Sequence, residues 1–191
     1  MTPIRWLLIL LTLGLGASPM HAAEPYPPGS RIGLTAPTGM VTSKTFFGYE
    51  DLDHNAAIIL IALPVQAYAD LDRSVTANAL KRQGVTLKKR EAVPLSTGKA
   101  FLVIGRQDID KTKVRKWILV ASSPALTALV TVQIPEPAKA LYPDGAIRAA
   151  LASLAIRAAV PIEEELGVLP FKIGDLAGFR VAGVAPGARS R

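Results

Sequence analysis

Apolar residues fall along the chain in distinct patterns, and each pattern predicts a different element. The run Ala56 to Leu63 (AAIILIAL) is apolar at every position over the length of a strand. It predicts a central strand covered on both faces, closed by Pro64. From Ala67 to Gln83 the apolar residues return at helical intervals. Leu71, Val75 and Ala79 lie four apart, flanked by Tyr68 and Leu80, which predicts an amphipathic helix. Lys81 and Arg82 suit the negative end of its dipole, and Gly84 suits a left-handed cap. A second helix is expected over roughly Asp144 to Ile156, with Ile147, Ala150, Leu151 and Leu154 as its buried stripe and Asp144 near its start.

Between these helices the pattern changes to strands: Thr86 to Val93, Lys99 to Asp108, Lys113 to Ser122 and Leu126 to Ile134. Their links, Ser96-Thr97-Gly98, Asp110-Lys111-Thr112 and Ser123-Pro124, are too short for crossovers and predict an antiparallel meander. Phe101, Val103, Ile104 and the run Trp117 to Val120 make its central members apolar on both faces, which calls for helices above and below. Earlier in the chain, Arg31 to Pro37 predicts a short strand ended at Pro37 and Gly39. Thr45 to Tyr49 predicts another, followed by a polar loop of Asp51, Asp53, His54 and Asn55. Ile162 to Leu166 adds a helical turn, and Phe171 to Gly174 and Phe179 to Val184 read as two short strands. The expected class is mixed α/β (α+β), an antiparallel β-sheet with helices on both faces, that is, an α/β/α sandwich.

This element order, together with Gly33–Met40 (GLTAPTGM, a strand closed by a Pro-x-Gly turn), the aromatic Phe46–Asp51 (FFGYED), the strand AIILIALP and the helix ending in Gln83-Gly84, resembles the PsbP-like superfamily (the photosystem II PsbP and Mog-type fold) over about residues 29–156. The resemblance implies the same α/β/α sandwich and a non-catalytic binding or accessory role. It assigns no partner-contacting residue, because none can be matched one by one.

The N-terminus reads differently. Arg5, the apolar run Trp6 to Leu15 and the small residues that follow form the pattern of a secretory signal peptide over residues 1–23, cleaved after Ala23. The apolar run is shorter than the roughly 20 residues a membrane span needs. Residues 24–30, with three Pro and one Gly, then form an extended leader, residues 31–160 the folded domain and residues 161–191 a C-terminal extension. Cleavage would remove one of the 22 basic residues and none of the 15 acidic ones, so the mature chain stays basic. The expected location is periplasmic or secreted.

Candidate chemistry is sparse. The chain has no Cys and two His, of which only His54 is mature, so disulfides, thiolate sites and His-rich metal sites are excluded. His54 lies beside Asp51 and Asp53. The pattern fits either an acid/base or metal site or a solvated turn. Ser96-Thr97-Gly98-Lys99 matches the serine–lysine spacing, but in a hairpin turn the two side chains diverge. Glu163-Glu164-Glu165 on one helical turn reads as a solvated face. Catalytic residues, metal ligands and cofactors are therefore expected to be none.

Basic residues cluster at Lys88, Lys89 and Arg90 and again at Lys111, Lys113, Arg115 and Lys116. If the two strands are neighbours, these form one positive patch for an anionic lipid or an acidic protein partner. The other reading is a charged sheet edge that blocks aggregation. Nucleic acid is not expected, since only Trp117 interleaves with the charges. The functional expectation is an exported, non-enzymatic binding or accessory protein. The alternatives are a periplasmic hydrolase using His54 with nearby carboxylates, and an envelope-associated protein that docks through the basic patch.

Overall fold

The computed structural model describes residues 26–167. The N-terminal segment read as a signal peptide and the two strands expected at 171–174 and 179–184 lie outside the described residues.

Strand and helix order follow the hydrophobic pattern closely. The elements are β1 (Ile32–Gly33), β2 (Val41–Thr42), β3 (Gly48–Asp51), β4 (Ala56–Leu63), α1 (Ala67–Ser74), α2 (Ala77–Arg82), β5 (Val85–Ala92), β6 (Ala100–Ile109), β7 (Thr112–Ser122), β8 (Thr127–Pro135), α3 (Asp144–Ala152), β9 (Ala155–Ile156) and α4 (Ile162–Gly167). A 3-10 turn at Glu136–Lys139 links β8 to the α3 region. Seven strands form one antiparallel sheet in the order β2-β3-β4-β8-β7-β6-β5, and β1 pairs with β9 beside it. The meander β5 to β8 is built on the short turns the sequence predicts.

Because side chains alternate across a strand, each sheet face has its own core. Ile58, Leu60, Leu102, Trp117, Leu119, Val130 and Val132 pack against Ile147, Ala150, Leu151 and Leu154 of the α3 region and against Tyr142. On the opposite face Phe101, Val103, Ile118, Val120 and Leu129 pack against Tyr68, Leu71, Val75 and Leu80 of α1 and α2. Helices thus cover both faces, in the sandwich expected.

Four expectations are corrected. The helix expected over Ala67 to Gln83 is two helices. Thr76 adopts an extended conformation, and its Oγ1 accepts from Ala79 N at 3.2 Å, which restarts the helix as α2. Arg90 of β5 fixes this break by donating to Val75 O (3.1 Å) and Asp72 O (2.9 Å). Gly84 then takes the left-handed conformation at φ +77°, as its cap position requires. The strand expected from Thr45 begins only at Gly48, and α3 ends at Ala152, leaving Ile156 to β9. Finally, β4 is not covered on both faces along its length. Its C-terminal half exposes Ile61 on the face that α1 and α2 cover only over β5–β8, and Ala62 on the opposite face.

Candidate functional site

The exposed half of β4 forms the floor of a groove of about 850 Å³. It exists because the segment Ser43–Phe47 leaves the sheet. Gly48 has φ +149°, and a Cβ there would lie 1.9 Å from Ile58 O, so only glycine lets β3 start this close to β4. Upstream, Ser43 Oγ accepts from Thr45 N (3.1 Å), closing a local turn in place of ladder bonds. The last tie to β4 is Leu60 N donating to Phe47 O at 2.8 Å. Beyond it the walls are Phe46, Phe47, Ile59 and Ile61, with the polar Thr42, Ser43, Lys44 and Thr45 at one side. Phe47 is 53% exposed and Ile61 40% exposed, large apolar groups of the groove lining left in water.

The leader supplies the other wall through Pro27 and Pro28 and is anchored firmly. Glu164 of α4 accepts from Gly29 N (3.0 Å) and from two nitrogens of Arg157 (2.7 and 2.6 Å). Arg157 also donates to Ser30 O (2.8 Å) and stacks over the Tyr26 ring at 4.6 Å. Its hydrogen bonds hold the Glu164 carboxyl below the usual glutamate range. The reading of Glu163-Glu164-Glu165 as a solvated face therefore fails at Glu164, which pins the groove's leader wall.

A second constellation centres on Asp51. Tyr142 Oη donates to Asp51 Oδ2 at 2.7 Å, and His54 Nδ1 lies 2.7 Å from the same oxygen. These contacts, Tyr142 foremost, lower the Asp51 pKa, while burial and the adjacent carboxylate raise that of Tyr142. His54 lines a smaller pocket of about 540 Å³ with Asp53, Asn55, Asp110, Gln133 and the apolar Val114 and Pro135. The structure thus brings His54 and Asp51 together, adds Tyr142, and leaves Asp53 on the exposed turn. Among the described residues no three His, Asp or Glu come together as a metal site. Ser96 and Lys99 are both exposed in the β5–β6 hairpin turn.

The seven basic residues do not converge. β5 and β7 are separated by β6, so the two runs lie apart, and strand alternation sends them to both faces. Lys88 sits at a bulge of the edge strand β5 and is exposed, while Lys89 pairs with Glu91. Arg90 is held by Asp72 (2.5 Å) and stacks on Phe101 at 4.2 Å. Arg115 is buried, donating to Asp144 (2.6 Å) and Tyr142 O (2.8 Å). Lys111 and Lys113 are exposed at the β6–β7 hairpin. Lys116 is half-buried, and burial lowers its pKa.

Sequence reasoning missed the groove. Its only local signal is the Phe46-Phe47 pair, since adjacent aromatics at the end of a strand cannot both face one core.

No family model and no curated protein matches the sequence. Among solved structures the chain is loosely similar to a protein of unknown function from Pseudomonas aeruginosa, at 14% identity and TM-score 0.46, covering 70% of this chain and 88% of that one. It is similar to LpqN, involved in cell envelope biogenesis of Mycobacterium tuberculosis, at 15% identity and TM-score 0.47, with 68% and 85% covered. The solution structure of cyanobacterial PsbP from Synechocystis is matched at 14% identity and TM-score 0.43, with 66% and 87% covered. A PsbP thus stands among the similar structures, as the sequence resemblance leads one to expect.

Proposed function

We propose that this chain is an exported, non-enzymatic binding protein, working in the periplasm or outside the cell, whose ligand has an apolar, chain-like body held in the groove over β4. The observation that carries the reading is the groove itself. Phe47 and Ile61 stand exposed in a groove of about 850 Å³, walled by a leader that Glu164 and Arg157 hydrogen-bond and by a glycine-permitted departure of the chain. Burying an apolar chain against two such side chains recovers roughly 25 cal/mol for each Å² taken from water. The test is displacement of a neutral fluorescent dye by decanol. Wild type should bind both, and Phe47→Ser with Ile61→Asn should weaken decanol at least about tenfold without changing the fold. Equal affinity in the double variant would refute the reading.

One observation favours a second reading, hydrolysis. Asp51 occupies the Nδ1 side of His54 and leaves Nε2 as the free nitrogen beside a pocket, the arrangement of a general base with its orienting carboxylate. An ester-hydrolysis screen separates the readings. The binding protein shows no turnover that His54→Ala removes, whereas a hydrolase loses its activity in that variant.

A further inference from the structure

We propose that the groove has an occupant of its own: the segment Phe171–Gly174 of the same chain adds as a strand to the open edge of β4 and competes there with the ligand. The inference rests on the groove of the binding reading and adds to it a means of control.

Three observations carry it. First, β4 is an interior strand with half of one edge open. On the side away from β8 it pairs with β3 only from Ala56 to Ile59. Leu60 N still donates to Phe47 O, so the hydrogen-bonding groups of Leu60 face that side, and by strand alternation so do those of Ala62. Because Ser43–Phe47 turns away, Ala62 presents its N–H and C=O to a strand position that no described strand fills. Ala62 is exposed and lines the groove, and such an edge is what an added strand takes up.

Second, the last described residue lies close to this edge. Glu164 of α4 accepts from Gly29 N at 3.0 Å, and Gly29 adjoins Pro28 of the groove wall. Gly167 ends α4 three residues later, about 4.5 Å further along a helix. Residues 168–170 span about 10 Å when extended, enough to carry Phe171 past the leader wall. Third, the segment suits the edge in length and pattern. The open stretch of β4 runs over four residues, Leu60 to Leu63, and Phe171-Lys172-Ile173-Gly174 has four. Alternation puts Phe171 and Ile173 on one side of an added strand, to cover the exposed Ile61, and Lys172 on the other.

The experiment follows amide hydrogen exchange at Ala62 and decanol affinity in the full chain, comparing wild type with Phe171→Ser combined with Ile173→Asn. Strand pairing should protect the Ala62 N–H in wild type, and the double variant should speed its exchange at least about fivefold. The same variant should bind decanol at least about threefold tighter, because a tethered competitor at roughly millimolar effective concentration has been weakened. Val130, in the centre of the sheet, should keep its exchange rate, which shows that the variant is folded. Equal exchange at Ala62 in the two proteins would overturn the assignment. So would protection that fades on dilution of the wild type, which gives the edge to a second copy. Decanol bound equally by both proteins would overturn the competition and leave the groove reading standing. Decanol bound by neither, with Ala62 protected as expected, would overturn the ligand reading and leave the strand addition standing.

Discussion

Tyr142 Oη donates to Asp51 Oδ2 at 2.7 Å, joining the segment before α3 to the end of β3 across 91 residues of sequence. The ring is fully buried and the carboxylate stands at the start of the turn that carries His54. One hydrogen bond therefore couples the α3 side of the sandwich to the rim of the second pocket.

Tyr142→Phe keeps the buried ring and removes this donor. It should cost about 1.5–3 kcal/mol in urea unfolding, the value of a hydrogen bond to a charged acceptor. The loss should depend on pH. Asp51 has a lowered native pKa, so its contribution is complete above the unfolded aspartate value near pH 4 and disappears as pH falls through the lower native value. Unfolding curves of wild type and variant should therefore converge on acidification. A constant difference down to about pH 2 would show that the ring packing, and not the hydrogen bond, was lost.

Two glycine-to-alanine replacements should have opposite signs. At Gly48 a Cβ would strike Ile58 O at 1.9 Å in a backbone conformation that L-residues avoid, so Gly48→Ala should fail to fold or lose several kcal/mol. At Gly145, in α3, nothing lies within 4 Å, and Gly145→Ala should gain about 0.5–1 kcal/mol. Thermal melts of the two proteins check both.

Arg115 and Lys113 share one sheet face but differ in role. Arg115→Met removes donors from Asp144 and from Tyr142 O in a buried setting and should cost about 1.5–3 kcal/mol. Lys113→Ala, at an exposed position, should stay within about 0.5 kcal/mol. Equal losses would contradict the separation of structural from solvent-facing cations.

The exposed cations that remain, Lys88, Lys111 and Lys113, are proposed as contacts for an anionic surface. Co-sedimentation with vesicles rich in anionic lipid should fall steeply between about 0.05 and 0.5 M salt and be reduced by alanine at all three sites. Binding that is flat across the salt series would remove that role.

The hydrophobic pattern defined β4 to the residue because Asn55 and Pro64 bracket an unbroken apolar run, and it placed the four meander strands to within two residues. It could not divide α1 from α2, since Leu71, Val75 and Ala79 keep helical spacing straight through the break, and only the Thr76 cap interrupts it. Site residues were less legible for a physical reason. A run of basic residues is a local feature, but whether each is free depends on distant partners: Asp72 for Arg90, Asp144 for Arg115 and none for Lys116. The groove is likewise non-local, requiring β4, the Ser43–Phe47 segment and a leader fixed by Glu164, 135 residues beyond Gly29.

The most direct test of the binding account is residue-by-residue NMR of the backbone resonances during titration with decanol. Among the described residues, saturable shifts confined to residues 27–28, 42–47 and 59–62 are the predicted result. Shifts centred on His54 and Asp110, or none up to the solubility of decanol, would contradict it.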